Sequence, residues 1–513
     1  MKGSQAFAET LQSLHLLPLF GNPGTTEIPM LRSVGKYMLT LHDSIALGLA
    51  DGRSQVTGKP AACNLHAMPG LGNSMAFLHT AYINRSPVIV TSGQQDYRHI
   101  FQDPLLSGDL IGTVSGLVKY RYELKAADEI EPIMRRAYRI AVTPPFGPVF
   151  LSFPDNILDQ ECSCSSTGPP ASNYDLADDD AISSIMEIFN SASNPAIVFG
   201  YEIDMFRAAE DAEKFAEATG CPAFAEPLAS RSPFPSGSRQ YAGDLLPAAS
   251  LINVTLQPYD LILIIGGDLM LYPYTPSPIL IGKRIVNVGL DVTGKNGEYY
   301  QMNPRIFLQK ALKLAKKKGS FIRKPDYTLQ SRIANAKKKM EPLFVLSRIN
   351  SSFRDHVIVD ESISASPAMR ASVGYRPGSY FTARTGQLGW ALPSAAGMAT
   401  AIPRVLCVTG DGSFLYTPQT LWTIKRYNLP VKLIILNNGG YMILRSYSYS
   451  YSENLKDADF FRPEVDLAKM VESFGLECMV ADSEISEITW LREGSDPKVL
   501  IVNVSKEVPK LFM

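Results

Sequence analysis

The chain has 513 residues, of which 45% are hydrophobic and 19% charged, and its formal net charge is -1. This is the composition of a globular protein with about two to four domains. A balanced charge argues against a protein that binds nucleic acid through a basic face. No uninterrupted apolar stretch is long enough to span a bilayer, so the sequence also predicts no membrane contact.

The N-terminal segment, residues 1–17, predicts an amphipathic helix. Glu9 lies where a signal peptide would be purely apolar. The six cysteines are scattered, and only Cys162 and Cys164 are close neighbours, which we expect to be exposed thiols in a linker. Together these features predict a cytoplasmic protein.

Two segments without periodicity divide the chain into three blocks. Residues 159–180 are polar and rich in Ser and Pro, and residues 316–330 are basic and broken by Gly and Pro. The predicted domains therefore cover 1–165, 178–320 and 335–513.

Each block alternates short apolar runs with helical patterns. Such runs, without polar alternation, indicate strands covered on both faces, so the fold class is α/β with three doubly wound parallel sheets. Ligands in such folds bind beyond the carboxyl ends of the strands, where functional residues are expected. The predicted strands are 87–93, 147–154, 196–200, 261–267, 284–290, 357–362, 404–412 and 431–438.

Two polar residues of the first block have alternative interpretations. Asp43, in "LHDSIALGLADG", is either an ordinary helix N-cap or a carboxylate held at a sheet edge for chemistry. His66 ends the predicted strand "PAACNLH" before a Gly-rich turn. It could transfer a proton near neutral pH, or be a hydrogen-bonded histidine at the rim.

The third block contains the strongest motif, "VTGDGSF" followed by "LIILNNGGY". Asp411 and Asn438 follow consecutive strands of one βαβ unit, so both are expected at the same edge of the sheet. A carboxylate and an amide oxygen are hard ligands suited to Mg²⁺. Gly410 and Gly412 allow close approach of a bound group, and the helix start offers amides to a phosphate. The alternative is a plain βαβ unit with polar turns.

This arrangement resembles the cofactor motif of the thiamine diphosphate-dependent enzymes. Four segments of the first block resemble benzoylformate decarboxylase in order and nearly in spacing, and the similarity covers most of the chain. They are "FGNPGTTEIP", "LHDSIALGLADG", "NLHAMPGLGN" and "VTSGQQ".

The resemblance implies pyrimidine-binding, middle and diphosphate-binding domains, with thiamine diphosphate between two subunits of a homodimer or homotetramer. It implies that Asp411, Asn438 and the carbonyl of Gly440 hold Mg²⁺, and that Leu388 wedges between the two cofactor rings. The other implied cofactor contacts are Asp43, Ser364, Gly410, Gly412, Ser413, Tyr441, Met442 and Ile443.

The sequence departs from the family at two catalytic positions. Asp43 stands where the family has a glutamate that hydrogen-bonds the aminopyrimidine. Aspartate is shorter by about 1 Å, and a misplacement of that size can cost on the order of a hundredfold in rate. Pro273, between Tyr272 and Tyr274, stands where benzoylformate decarboxylase has a second active-site histidine.

The resemblance also suggests substrate contacts. His66 matches a proton-transferring histidine, and Thr25 matches a serine that contacts the substrate carboxylate, although Thr25 could instead form an ST-turn. Gln94, with Gln95, is a weaker polar candidate. Tyr447, in 445–454, lines the pocket unless this segment is a surface strand with one aromatic face. Arg384 either pairs with a substrate carboxylate or is solvated.

The predicted function is the non-oxidative decarboxylation of a small-molecule 2-oxo acid to an aldehyde. Aromatic and branched aliphatic acids both fit this prediction. One alternative is a carboligase resembling acetolactate synthase, and another is a cofactor-binding protein with reduced or no catalysis. FAD is not expected, because "GGDLMLYP" (266–273) lacks a GxGxxG turn.

Overall fold

The computed structural model describes residues 1–165, 167–170, 174–272, 279–291, 297–450, 464–481 and 483–508, without the side chains of 449 and 450. These residues form two compact units. The first unit contains the described residues of 1–172, 333–369 and 385–513. The second contains those of 173–332 and 370–384.

The first sheet lies in the first unit, and its four central strands are buried whereas its two edge strands are only partly buried. Its strands are β1 (Leu19–Gly21), β2 (Tyr37–Leu39), β3 (Ala61–Leu65), β4 (Val88–Gln94), β5 (Tyr120–Glu123) and β6 (Val149–Pro154). All pairings are parallel, in the order β2-β1-β3-β4-β6-β5. The helices of this part are α1 (Gly3–Ser13), α2 (Ile28–Leu31), α3 (Asp43–Thr57), α4 (Ala67–Ile83), α5 (Leu110–Thr113), α6 (Ile130–Val142) and α7 (Asp155–Leu158).

The second unit is built around a second parallel sheet. Its strands are β7 (Pro195–Phe199), β8 (Ala223–Ala225), β9 (Tyr241–Asp244), β10 (Leu261–Ile265), β11 (Arg284–Gly289) and β12 (Glu298–Gln301), in the order β12-β11-β10-β7-β8-β9. The strand order reverses between β7 and β10, where open α/β sheets bind ligands. The helices are α8 (Asp179–Ser191), α9 (Glu202–Met205), α10 (Ala209–Thr219), α11 (Ala249–Leu256) and α12 (Pro304–Leu314).

The last part of the chain forms a third parallel sheet in the first unit. The strands from 357 onwards are β13 (Val357–Glu361), β14 (Tyr380–Phe381), β15 (Val405–Gly410), β16 (Val431–Asn437), β17 (Glu477–Val480) and β18 (Lys498–Asn503). The five of these strands that lie in the first unit have the order β13-β15-β16-β18-β17. The remaining helices are α13 (Leu329–Lys338), α14 (Pro342–Ser352), α15 (Ser366–Val373), α16 (Ala391–Ala399), α17 (Asp411–Phe414), α18 (Thr420–Arg426), α19 (Met442–Ser450), α20 (Leu467–Ser473) and α21 (Ile488–Arg492).

The predicted fold class is confirmed, since all eight predicted strands are present with ends shifted by a few residues. The N-terminal amphipathic helix is also present as α1. The domain boundaries 1–165, 178–320 and 335–513 stay predictions. No helix of the described residues is long and apolar enough to cross a membrane.

The first and third blocks share one compact unit because α3 and α16 pack closely. A Cβ on Gly52 would overlap the carbonyl of Ser394, and one on Gly397 would overlap the carbonyl of Leu49. The backbones therefore approach with almost no side chain between them. Next to this contact, the indole N–H of Trp390 donates to the buried carboxylate of Asp51 at 2.6 Å.

The expectation that Cys162 and Cys164 are exposed is wrong. Both are half-buried and pack against the core formed by α1, α6 and the first sheet. The reason is that the start of the predicted linker pairs with the N-terminus, where the N–H of Cys162 donates to the carbonyl of Met1 at 2.8 Å.

Candidate active site

Asp43 lies at the carboxyl edge of the first sheet, at the first residue of α3. The N-cap is His42, whose Nδ1 accepts from the N–H of Ser44, so the N-cap interpretation of Asp43 is wrong. Instead, Asp43 Oδ1 accepts from the N–H of His66 at 2.9 Å and Oδ2 accepts from Nδ2 of Asn22 at 3.2 Å. The side chain is only 3% exposed. Asp43 is therefore a buried carboxylate between the segments that follow β1 and β3.

Glu27 is a second buried carboxylate at this edge, and sequence reasoning did not single it out. Its oxygens accept from the N–H groups of Gly24, Ala67 and Gly93 at 2.8–3.0 Å, and from the hydroxyl of Thr26 at 2.9 Å. The sequence signal is an acidic residue directly before the apolar run "IPML". Glu27 therefore joins the ends of β1, β3 and β4.

His66 contacts both carboxylates. Its Nδ1 lies 2.7 Å from Glu27 Oε2, while its backbone N–H is bonded to Asp43. This contact uses Nδ1, so Nε2 is the ring nitrogen left for another partner. A Cβ on Gly24 would overlap the imidazole, so glycine is required there. The ring is thus fixed, with 21% of the side chain exposed.

The other predicted substrate contacts of the first sheet lie around this pair. Thr25 is exposed in the 3₁₀ turn Thr25–Glu27, whereas the neighbouring Thr26 is buried. Gln94 ends β4, and its Nε2 donates to the carbonyl of Gly108 at 3.0 Å. Gln95 donates in the same way to the carbonyl of Leu105 at 2.9 Å. Both glutamines therefore hold the segment 105–108.

At the carboxyl edge of the third sheet, the structure brings Asp411 and Asn438 together as expected. Asp411 follows β15, and its Oδ2 accepts from the N–H of Gly439 in the turn after β16, at 2.9 Å. Asn438 Oδ1 accepts from the N–H of Gly440 at 3.1 Å. Burial raises the pKa of Asp411. Two oxygen-bearing side chains and the Gly439–Gly440 backbone therefore form one polar cluster.

The residues after this cluster form a helix. A Cβ on Gly412 would contact the ring of Tyr441 at 2.5 Å, so the two turns pack tightly. Met442 is buried, and Ile443 and Tyr447 lie one helical turn apart in α19. The surface-strand interpretation of 445–454 is therefore wrong for the described part, since alternating Tyr and Ser also fits a helix. Residues 451–463, like Pro273 and Tyr274, lie outside the described residues.

Three further predicted cofactor contacts lie on the loops around α16. Ser364 is in the 3₁₀ turn Ile363–Ala365, directly after β13. Leu388 is half-buried in the loop that leads into α16, and Ser413 is buried in the turn after β15. The residue after Leu388, Gly389, has φ = +84°, and its carbonyl accepts from the hydroxyl of Thr417 at 2.7 Å.

Arg384 is not solvated. Its side chain is 6% exposed, its guanidinium stacks on the ring of Tyr201 at 4.6 Å, and it lies 3.8 Å from Glu226. All three residues belong to the second unit. The expectation of a solvated arginine is therefore wrong, because an ion pair and an aromatic ring hold the side chain inside this unit.

The carboxyl edge of the second sheet is filled by two glutamates. Glu226 accepts from the N–H groups of Tyr201 and Asp268 at 2.9 Å. Glu202 accepts from those of Leu290 and Asp291, also at 2.9 Å. Burial raises the pKa of Glu202 to about 8 and that of Glu226 to about 7. The chain's own carboxylates thus occupy the place where such sheets bind ligands.

Comparison with known proteins finds one family along the chain. Three models of the thiamine pyrophosphate enzymes match: the N-terminal TPP binding domain at residues 1–107, the central domain at 182–302 and the C-terminal TPP binding domain at 365–495.

Full-length relatives agree with this result. Benzoylformate decarboxylase of Pseudomonas aeruginosa is 31% identical over 92% of both chains. The acetolactate synthase large subunit of Buchnera aphidicola is 25% identical over 93% of this chain and 89% of its own. The structure of the thiamine diphosphate-dependent 4-hydroxybenzoylformate decarboxylase of Rhodococcus jostii superposes with a TM-score of 0.92, at 28% identity, over 99% of this chain and 100% of that one.

The chain therefore belongs to the thiamine diphosphate-dependent enzymes, and it is similar along its length to benzoylformate decarboxylase. The family resemblance seen in the sequence motifs is confirmed.

Proposed function

We propose that this enzyme catalyses the thiamine diphosphate- and Mg²⁺-dependent decarboxylation of a 2-oxo acid to an aldehyde. The observation that carries the proposal is the cluster of Asp43, Glu27 and His66 at the edge of the first sheet. It provides the carboxylate and the imidazole that cofactor activation and product protonation require. The similarity to two aromatic 2-oxo acid decarboxylases supports it.

The third sheet provides the groups that would hold the metal and the cofactor. Asp411, Asn438 and the carbonyl of Gly440 would bind Mg²⁺, which typically takes few protein ligands and completes its shell with phosphate oxygens and water. The donor chemistry fits this ion, since both side-chain oxygens are hard and lie on adjacent turns. The diphosphate and rings would contact the following residues: Ser364, Leu388, Gly410, Gly412, Ser413, Tyr441, Met442 and Ile443.

Asp43 would orient the aminopyrimidine ring. When bound, thiamine diphosphate supplies a carbon nucleophile and an electron sink for the departing carboxylate. Asp43 already accepts two hydrogen bonds, from His66 and Asn22, which fix its carboxylate. An ionised carboxylate has further lone pairs, so it can accept one more bond from the cofactor.

His66 would carry the proton that completes the reaction. Glu27 holds Nδ1, and Nε2 would take a proton from water and pass it to the product carbon. Thr25 would contact the substrate carboxylate, and Gln94 and Tyr447 would border the pocket. Aromatic 2-oxo acids are the favoured class, and a homodimer or homotetramer would place the cofactor between subunits.

Carboligation is the second candidate. The acetolactate synthase relative and the proline at position 273 favour it, because weak protonation leaves the activated substrate available to a second carbonyl compound.

The test measures CO₂ and aldehyde release from benzoylformate, 4-hydroxybenzoylformate, pyruvate and a branched 2-oxo acid, with thiamine diphosphate and Mg²⁺ supplied. It compares the wild type with Asp43→Ala and Asp43→Glu. Asp178→Ala is the matched control, since Asp178 is an aspartate that caps α8 in the second unit. We expect aldehyde from the wild type and a rate lower by about a hundredfold or more in Asp43→Ala.

Other outcomes have distinct meanings. CO₂ release with a ligated product instead of aldehyde would favour carboligation. A silent wild type that Asp43→Glu activates would show that the shorter carboxylate has reduced catalysis. Silence of all variants with cofactor bound would contradict the decarboxylase proposal and favour a non-catalytic cofactor-binding protein.

A further inference from the structure

Glu361, the last residue of β13, is a buried carboxylate that reaches across to the neighbouring cofactor segment. Its Oε1 accepts from the N–H of Gly389 and its Oε2 from the N–H of Ala391, both at 2.5 Å. Only 3% of the residue is exposed. These two N–H groups flank Trp390 at the start of α16, directly after Leu388.

A further interaction extends this contact to the diphosphate turn. The side chain of Ser413, in the sequence Gly-Asp-Gly-Ser, also interacts with Glu361. Glu361 is itself followed directly by the turn that contains Ser364. One side chain therefore joins the three segments that carry Ser364, Leu388 and Asp411.

Burial of Glu361 disfavours its charged form. It raises the pKa of Glu361 to about 7, because the charged form loses its solvation. Buried polar groups are expensive unless they are bonded. Here the carboxylate satisfies N–H groups that the start of α16 leaves without a partner inside the helix.

The same segment is held from its other side. The carbonyl of Gly389 accepts from the hydroxyl of Thr417. Gly389 is therefore hydrogen-bonded to Glu361 through its N–H and to Thr417 through its C=O. The φ of +84° at Gly389 turns these two groups toward their partners. The backbone that carries Leu388 is thus fixed at two points.

We propose that Glu361 is a positioning residue for the cofactor, which sets Leu388 and Ser413 relative to the turn of Asp411. This inference rests on thiamine diphosphate binding at this edge, as the proposed function does. It does not depend on which reaction follows, so the two can fail separately.

The test is a titration of the full chain with thiamine diphosphate at saturating Mg²⁺, followed by tryptophan fluorescence. In Glu361→Gln the amide nitrogen faces a backbone N–H, so one of the two bonds is lost. We expect the dissociation constant of thiamine diphosphate to rise about tenfold or more, as for the loss of a bond to a charged group. At saturating cofactor the loss in kcat should be smaller than the loss in affinity, because Glu361 acts through the backbone of Gly389 and Ala391.

Glu202→Gln is the matched control. Glu202 is also a buried glutamate that accepts from two backbone N–H groups, but it lies in the second unit. It should leave the dissociation constant within about twofold, since its two bonds hold the backbone of Leu290 and Asp291 rather than that of Gly389 and Ala391. Thr417→Val removes the hydrogen bond to the carbonyl of Gly389. We expect it to weaken thiamine diphosphate binding, but by less than Glu361→Gln does.

Two results would overturn the proposal: wild-type affinity in Glu361→Gln, or an equal loss in Glu202→Gln, which would indicate a general effect of removing a buried carboxylate. If Glu361→Gln does not fold, Glu361→Asp replaces it in the titration. The shorter carboxylate of this variant cannot reach both N–H groups. Wild-type affinity in Glu361→Asp would again overturn it. Absence of CO₂ release would contradict the proposed reaction alone.

Discussion

The carboxyl edges of the second and third sheets end in similar glycine-containing turns but differ in what fills them. In the second sheet, a Cβ on Gly267 would lie 2.5 Å from Glu226, and Glu226 and Glu202 are almost fully buried. In the third sheet, a Cβ on Gly410 would meet nothing within 4 Å, and Asn438 is half-buried. Glycine after a parallel strand therefore makes room for a ligand at one edge and for the chain's own carboxylates at the other.

This difference bears on nucleotide binding at the second sheet, where the sequence predicts no FAD site. A phosphate at a strand end needs backbone N–H groups as donors. Those of Tyr201, Asp268, Leu290 and Asp291 already donate to Glu202 and Glu226. The two glutamates therefore occupy the N–H donors that a phosphate at this edge would need.

The largest effect is expected at the carboxyl edge of the third sheet. Asp411→Asn keeps the shape of the side chain and its acceptor for Gly439, but removes the charge that would bind Mg²⁺. We expect thiamine diphosphate binding in the presence of Mg²⁺ to weaken by about a hundredfold or more, measured by calorimetric titration. Unchanged affinity in Asp411→Asn would contradict the metal assignment. Glu202→Gln, at the carboxyl edge of the second sheet, is the control.

An intermediate effect is expected on the pH dependence of stability. The pKa of Glu202 is raised to about 8 in the folded chain, from an ordinary value of 4.5. The folded state therefore holds the proton more tightly than the unfolded state. The contribution of this group to stability is fully present below pH 4.5 and is lost as the pH rises through about 8.

Glu202→Gln removes this titration. The Tm of the variant minus that of the wild type should rise between pH 5 and pH 9 by a few degrees, measured by calorimetry. Glu210→Gln, at an exposed glutamate of the same unit, should give a constant difference. A constant difference for Glu202→Gln as well would show that its carboxylate does not titrate in this range.

The smallest effect is the change in Tm that we expect when nucleotides are added to the protein. FAD or ADP should leave the Tm unchanged, whereas thiamine diphosphate with Mg²⁺ should raise it, because a ligand that binds only the folded state stabilises it. Thermal scans of the wild type at matched ligand concentrations make this comparison. Stabilisation by FAD would contradict the expectation that Glu202 and Glu226 keep nucleotides from the carboxyl edge of the second sheet. It would also strengthen the carboligase alternative.

The fold could be predicted because local signals agreed with it. Strands such as β10 and β16 are continuous apolar runs, and Asp411 and Asn438 follow consecutive strands, so topology alone placed them together. Glu27, Glu202 and Glu361 were not predicted because their roles depend on N–H groups far away in the sequence, such as Gly93 for Glu27. Asp43 was ambiguous for the same reason, as its main partner is the backbone of His66.

The close contact of α3 with α16 has a consequence for how this enzyme unfolds. Gly52 and Gly397 leave no space for even a methyl group, and Asp51 bonds to Trp390 across the same contact. A fragment that ended at residue 165 would expose this glycine-lined helix face and leave a buried carboxylate without its indole partner. The N-terminal and C-terminal thirds should therefore unfold in one cooperative transition, and neither should resist proteolysis when expressed alone.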